Sequence, residues 1–481
     1  MHATAFLMPL RRRQLLAGGA SSLLLGACAV AGRRTRPVEL VAAPTEAALR
    51  GAGHPATAVW SYGGGVPGPE IRVPQGSRLR VDFRNRLPVE TTVHWHGLRV
   101  PHAMDGVPHL TQLPVAPGER FTYEFTLPDA GTFWYHSHLR SSEQVERGLY
   151  GLVVVEEPAP LPVDREWTWV LDDWRLTRDG QLARDFGQLH DVSHAGRIGN
   201  VVTLNGRVPR PLAVRRGERI RIRIVNAANA RIFGLQFDGH RPQVVALDGH
   251  PVTPHLPQGG TLVLGPGMRA DVVLDAVGEP GSRHAVGDVF YPRAAYDLLE
   301  LAYEAQPLRD AAPAALPALA PNPLSEPDLQ AAVRHEIRFE GGMMGRLHTA
   351  LLDGRPMDLR ALLGAGKAWA VNGVAAGHGH GRSHGHGEHP ALTLQLGKSY
   401  RVLLRNDTRW HHPIHLHGHA FRLLERSGLP VPHRPWLDTV LLAPDESAEI
   451  AFVADNPGDW MLHCHVLEHQ DGGMMAVVRV A

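Results

Sequence analysis

Four short motifs carry histidines at alternate positions: His94-Trp95-His96, His136-Ser137-His138, the run His412-Pro413-Ile414-His415-Leu416-His417, and His463-Cys464-His465. On an extended strand residues i and i+2 share a face, so each pair projects two imidazoles to one side. One such pair is weak evidence for a metal. Four pairs interlocked with a single cysteine form a ligand set. The chain holds 30 histidines, far beyond what packing requires, and only two cysteines, Cys28 and Cys464, too few for a disulfide framework.

The donor types sort themselves. Cys464, His469 five residues on and Met474 ten residues on supply a thiolate, an imidazole and a thioether. With His412 they make a trigonal His₂Cys site with a weak axial Met, the arrangement of blue-copper electron-transfer centres. Zinc prefers closed tetrahedral ligation without a thioether. Met475 is the adjacent alternative to Met474, on the other strand face. Eight imidazoles remain: His94, His96, His136, His138, His415, His417, His463 and His465. That number suits three coppers, one taking two imidazoles and a pair taking three each. Cys464 points away from its two neighbours, so the single copper and the cluster lie on opposite faces of one strand. Their separation is on the order of 10 Å, a sheet layer's thickness.

Strands must hold these motifs, and an internal repeat supplies them. Residues 65–85 (GVPGPEIRVPQGSRLRVDFRN) match residues 206–226 (GRVPRPLAVRRGERIRIRIVN), with Gly65 and Gly76 aligned to Gly206 and Gly217. In each copy an Asn, Asn85 or Asn226, closes the strand nine residues later. The stretches LRVDF and IRIRIV alternate apolar and polar residues, as half-buried strands do. A third copy starts at Asn372-Gly373 and resumes at Gly397, ending on Asn406, with a 13-residue loop (377–389) inserted between. The domain ends repeat too: Ala130–His138 parallels Pro457–His465. With Gly 51 and Pro 39, the chain reads as all-β, three tandem Greek-key sandwiches. The expected layout is domain 1 over 37–160, domain 2 over 161–305 without copper, a Pro/Ala-rich linker over 306–330 and domain 3 over 331–481. Domain 2 shows no chemistry of its own, and its expected role is to bring domains 1 and 3 together.

Residues 1–32 read as an export signal: Arg11, Arg12 and Arg13 precede an apolar stretch interrupted by Gly and Ser. Arg12-Arg13-Gln14-Leu15-Leu16 suits the twin-arginine route, with an ordinary secretory signal as the competitor. Leu25-Gly26-Ala27-Cys28 suits a lipoprotein processing box, with plain cleavage at the nearby small residues as the alternative. A lipid on Cys28 would be the sole membrane attachment, and the expected location is the periplasm. The formal charge of +1 shows no basic stripe, which excludes the usual nucleic-acid binder. A monomer is expected.

These motifs resemble the multicopper oxidases, and the resemblance covers nearly the whole mature chain. It implies cupredoxin-like domains and four copper ions. His412, Cys464, His469 and Met474 would hold type 1 copper, and His94 and His415 type 2. His96, His136, His138, His417, His463 and His465 would hold the type 3 pair. It also implies one-electron oxidation of a reducing substrate coupled to reduction of O₂ to two waters. Asp105 and Glu468 match positions that relay protons in related bacterial enzymes; the competing reading is a turn acid or an acid that orients ligands.

Two substrates remain open, cuprous ion in copper tolerance and, alternatively, phenols and aromatic amines as in laccases. A third reading is a relative without catalysis, acting in cell division or copper binding. His378, His380, His384, His386 and His389 in the inserted loop suit either copper capture or a soluble linker. Met343 and Met344, between glycines, suit either Cu(I) binding or packing. No long Met-rich insert is present.

Overall fold

The computed structural model describes residues 36–310, 313–377 and 390–481. The export segment with Cys28, and the five loop histidines, lie outside them. The described chain folds into three successive pairs of β-sheets, with a further two-stranded sheet of Thr349–Leu352 and Arg355–Asp358 in the third. The first pair has one four-stranded sheet in the order Thr57–Tyr62, Val38–Ala47, Arg78–Asn85, Arg120–Thr126. Its other sheet runs Gly68–Pro74, Tyr150–Glu156, Gly131–His136, His94–His96. The second pair, from Arg165 to Tyr303, has six and five strands. The third, from Val333 to Val480, includes a five-stranded sheet in the order Leu392–Leu394, Met475–Val480, Gly458–Cys464, His412–Leu416, Thr439–Leu442. The architecture is three tandem cupredoxin-like sandwiches. No helix among the described residues is long and apolar enough to cross a membrane.

The repeat has a physical signature. In each sandwich the opening strand pairs in parallel with the strand that ends on the repeated Asn: Ala42 with Asn85, Leu171 with Asn226, Phe339 with Asn406. Each Asn is buried and makes the same three hydrogen bonds. Its Nδ2 donates to two carbonyls (of Val89 and Val115, Arg231 and Leu264, or Trp410 and Ala443), and its Oδ1 accepts the amide two residues on. A buried side chain with both donors and its acceptor satisfied locks the crossing between sheets.

The structure corrects the glycine alignment. The tight turns are Gly63-Gly64, Asn205-Gly206 and Asn372-Gly373, all at positive φ, and the bridges across them are Tyr62–Gly65, Leu204–Arg207 and Val371–Val374. Gly64, rather than Gly65, is therefore the counterpart of Gly206. Domain 1 carries one extra residue, taken up at a register shift between Gly68 and Ile71.

Each sandwich has its own apolar core, and a fourth cluster with Trp134, Tyr150, Trp174 and Leu467 sits where the domains meet. That junction changes the fate of the alternating strand Arg219–Asn226: every residue in it is buried. Its polar face turns toward domain 1, where Arg221 and Arg223 pair with Glu157 of that domain and with Asp271 on the adjacent strand of their own sheet. The Pro/Ala-rich connection is not free either. Leu319 packs against Leu161 and Val273, and Asn322 bonds both backbone groups of Ala130 at 2.8 Å.

Candidate metal centre

Two antiparallel strand pairs bring the motifs into register. His94 lies opposite His136, and His415 opposite His463, with Ile414 opposite Cys464. Domains 1 and 3 then meet face to face: the rings of His94 and His417 stack at 3.9 Å, and those of His96 and His415 at 3.7 Å. Ligand atoms of His94, His415 and His417, of His94, His96 and His136, and of His138, His417 and His463 each fall within 4.8 Å of one another. These seven histidines are buried, as is His465, whose ring centre lies 4.9 Å from that of His96.

On the other strand face His412 Nδ1 lies 3.4 Å from Cys464 Sγ, His469 Nδ1 lies 3.6 Å from it, and the two nitrogens are 3.1 Å apart. Met474 is fully buried in the same apolar cluster as Cys464, and its carbonyl accepts the Cys464 amide at 3.1 Å. Met475, opposite His463, is half-buried and lines a separate cavity.

The hydrogen bonds show that these nitrogens present bare lone pairs. A carbonyl cannot donate, so a ring nitrogen facing one must carry the proton, and its partner nitrogen in a neutral ring carries none. His463 Nδ1 donates to the Cys464 carbonyl at 2.9 Å, and His417 Nδ1 faces Asp105 Oδ2 at 2.8 Å. Yet their Nε2 atoms face each other at 3.0 Å. The same holds around Cys464. His469 Nε2 donates to the His194 carbonyl at 2.6 Å. His412 Nε2 meets Thr408 Oγ1, whose proton goes to Asn406. Buried nitrogens of His94, His96, His136, His138, His415 and His465 have no protein partner. Converging lone pairs in a buried chamber repel unless a cation sits among them. The soft thiol set fits copper at one face and the all-imidazole set fits it at the other.

Electrostatics point the same way. Burial holds His136, His138, His412, His417, His463 and His465 well below the usual imidazole range, and neighbouring imidazoles add to this in each. Burial lowers His469 to about 3 against its bond to the His194 carbonyl. Neutral imidazole is the form that binds metal. Burial pushes the Cys464 thiol up, so only a bound cation would hold it as thiolate here.

The multicopper oxidase family matches this chain over residues 45–160, 165–286 and 355–481. The chain is a multicopper oxidase. It is 32% identical to the multicopper oxidase MmcO of Mycobacterium tuberculosis over 88% of this chain and 83% of that one. It is 25% identical to copper resistance protein A of Escherichia coli, over 87% and 88% of the two chains. The crystal structure of a multi-copper oxidase from Pseudomonas thermotolerans superposes with a TM-score of 0.80 at 36% identity, covering 94% of this chain and all of that one. This multicopper oxidase is accordingly a copper-dependent oxidoreductase that passes electrons from a reducing substrate to O₂.

The two candidate acids differ in surroundings. Asp105 is fully buried; its Oδ2 faces His417 Nδ1, and its backbone carbonyl accepts from His94 Nδ1 at 2.8 Å. It orients one imidazole from each domain. Glu468 Oε2 accepts the Arg197 amide at 3.0 Å and Oε1 accepts Asn229 Nδ2 at 2.9 Å. Burial raises it to about 7. It lines a cavity of about 310 Å³ that also touches His138, Lys367, Gln470 and Asp471.

Sequence reasoning missed what domain 2 contributes. Arg269 makes a two-pronged pair with Asp438, Nη1–Oδ1 2.7 Å and Nη2–Oδ2 2.6 Å. Asp438 Oδ1 lies 3.2 Å from His96 Nε2, and its carbonyl accepts His415 Nδ1 at 2.9 Å. Asp248 Oδ2 accepts the amides of Asp438 and Thr439. Burial alone would raise Asp438, yet the Arg269 guanidinium and both imidazoles hold it well below the usual carboxylate range. The available signal was Asp438 itself, a charge inside the apolar run Trp436–Leu442. His194, whose carbonyl fixes His469, had none.

Proposed function

We propose that this enzyme oxidises cuprous ion at its surface and reduces O₂ to water at the buried eight-histidine chamber, acting outside the cytoplasm after export by the signal in residues 1–32. In this reading His412, Cys464, His469 and Met474 hold one copper, and His94, His96, His136, His138, His415, His417, His463 and His465 hold three, across domains spanning 37–160, 161–305 and 331–481. Bound copper supplies a one-electron acceptor at Cys464 and the centre at which O₂ is reduced.

The chain's own residues do the rest. Cys464 is covalently joined to His463 and His465, so the strand Gly458–Cys464 connects the two sites through a few bonds. Asp105 and Asp438 hold the imidazoles of the two domains in fixed orientation, which spares reorganisation during turnover. Glu468, on the cavity wall, is placed to pass protons inward, and making water consumes one proton per electron.

The observation that carries the cuprous reading is the cap on His469. Its outward nitrogen is occupied by the His194 carbonyl, so an aromatic substrate has no open imidazole edge to approach. A small ion bound to the covering segment is under no such restriction. O₂ uptake by the copper-loaded enzyme tests this: Cu(I) should be turned over faster than 2,6-dimethoxyphenol. Slow Cu(I) turnover beside fast phenol turnover would replace the reading with the laccase-like one.

A further inference from the structure

We infer that Gly196 is a specificity-determining position. The side chain it lacks is what lets domain 2 lay the His194 carbonyl on His469, and that contact shuts aromatic donors from the electron-entry edge and lowers the reduction potential there. In function this deepens the cuprous reading above and rests on it; in geometry it rests on the segment itself. Three consecutive carbonyls of domain 2 each accept a donor of domain 3: Val192 from Trp369 Nε1, Ser193 from the Met343 amide and His194 from His469 Nε2. Three residues on, the Arg197 amide donates to Glu468 Oε2 at 3.0 Å. The stretch 192–197 is thus seated on domain 3 at both ends.

Gly196 is its tightest point. It lies at φ 85°, and a Cβ at this position would stand 2.5 Å from both Ala230 Cβ and Val466 Cγ1 and 3.1 Å from Glu468 Oε2. Carbon atoms pack at about 3.5–4.0 Å, so a side chain here would push the segment out by about 1 Å. The bond from His469 Nε2 to the His194 carbonyl is 2.6 Å; lengthened by that much, it leaves hydrogen-bonding range. The segment is also held from behind. The Arg197 side chain is 1% exposed, pairs with Glu146 and Asp185, and sets its guanidinium over the Phe186 ring.

The consequences for His469 follow from its donor chemistry. The ring is fully buried, with the Trp369 ring centre 4.3 Å from its own and the His194 carbonyl on its outer nitrogen. An imidazole that donates its N–H to a carbonyl is a more basic ligand, which favours the oxidised metal and lowers the potential. Without that bond the potential rises, and the freed edge can meet an aromatic ring. A phenol meeting it loses one electron and its hydroxyl proton to give a phenoxyl radical; four such losses convert one O₂ into two waters.

Copper-loaded wild type, Gly196→Ala and Arg197→Lys are compared with Gly180→Ala, a second left-handed glycine whose Cβ would meet nothing closer than 3.6 Å. Redox titration of the blue band should show Gly196→Ala about tenfold easier to reduce by the same mediator, a rise of about 59 mV. In the reduced, diamagnetic enzyme the Nε2–H resonance of His469 should be sharp in wild type and lost to solvent exchange in Gly196→Ala. The kcat/KM for 2,6-dimethoxyphenol should rise at least tenfold. Arg197→Lys keeps the buried charge and gives up the planar fork; it should move all three readouts the same way by less, and it carries the test if the alanine variant does not fold. Gly180→Ala should match wild type throughout. An unchanged potential, or an unchanged phenol kcat/KM, in the folded variant overturns the inference. Fast phenol turnover by wild type removes the cuprous reading instead, and leaves the comparison between wild type and Gly196→Ala to decide this one.

Discussion

The Arg269–Asp438 pair is where domain 2 reaches the chamber, and Arg269→Met tests that link. Both side chains are essentially fully buried, at 0% and 2% exposure, so removing the guanidinium leaves Asp438 charged with only the His96 and His415 imidazoles and the Thr439 hydroxyl beside it, and the Asp248 carboxylate close by. Breaking one side of a buried ion pair costs about 3–5 kcal/mol. Methionine keeps most of the volume, so the loss is electrostatic rather than a cavity. At about 1.4 kcal/mol per decade the folding equilibrium falls by roughly two to three and a half decades. With a single sandwich of about 150 residues as the unfolding unit, the apparent melting midpoint of the copper-free protein should drop by about 6–20 °C. The partner change Asp438→Asn in the same background should recover part of that loss, because the stranded charge is then gone. Differential scanning fluorimetry of the four proteins measures the cycle, and copper analysis after loading reads the chamber. Weakened orientation of His96 and His415 should lower the copper content of Arg269→Met. A loss under 1 kcal/mol with full copper retention would refute the claim that domain 2 organises this site.

Cys464→Ser should abolish the blue band and substrate oxidation, and retention of both would remove Cys464 from the electron path. Glu468→Gln should slow the return of the blue band when reduced enzyme meets O₂ by about 10²–10⁴-fold, with anaerobic bleaching by substrate much less affected; equal slowing of both would argue against proton delivery. Asn226→Ala removes the side-chain hydrogen bonds to the Arg231 and Leu264 carbonyls and from the Ala228 amide. At about 1–3 kcal/mol for each unsatisfied group, denaturant unfolding should register a loss of several kcal/mol. Lys367 offers a pH test. Burial lowers it to about 8 from an unfolded value near 10.5, against Asp471 and Asp353. The native state is therefore penalised below pH 8 by about 3 kcal/mol, and the penalty fades as pH rises toward 10.5. Lys367→Met forfeits a hydrogen bond to the Asp471 carbonyl, worth about 1 kcal/mol, so at pH 7 it should be the more stable protein by about 2 kcal/mol. That advantage should shrink between pH 8 and 10.5, and a constant difference across the range would show that Lys367 is not titrating as a buried amine.

Much of this enzyme was legible because its signals are local. Alternation at period 2 locates the strands whatever packs on them, which is why the four HxH motifs could be read as paired imidazoles. Donor chemistry alone separated Cys464, His469, Met474 and His412 from the other eight histidines, and the repeated Asn85, Asn226 and Asn406 announced three copies of one sandwich. Exposure was not legible. Arg221 and Arg223 stand where a half-buried strand meets water, and only the neighbouring domain turns that face into a buried ion network. The glycine register slipped by one residue because the bulge between Gly68 and Ile71 leaves no mark in composition. The sequence by itself determined the fold class, the ligand types and the metal they suit, since these depend on residues close together in the chain. Tertiary structure alone decided that Asp438, Asp248 and Arg269 brace the chamber and that the His194 carbonyl closes the outer edge of His469. Those contacts join residues 21 to 275 positions apart, and no periodicity or spacing encodes a meeting that exists only once three sandwiches are packed.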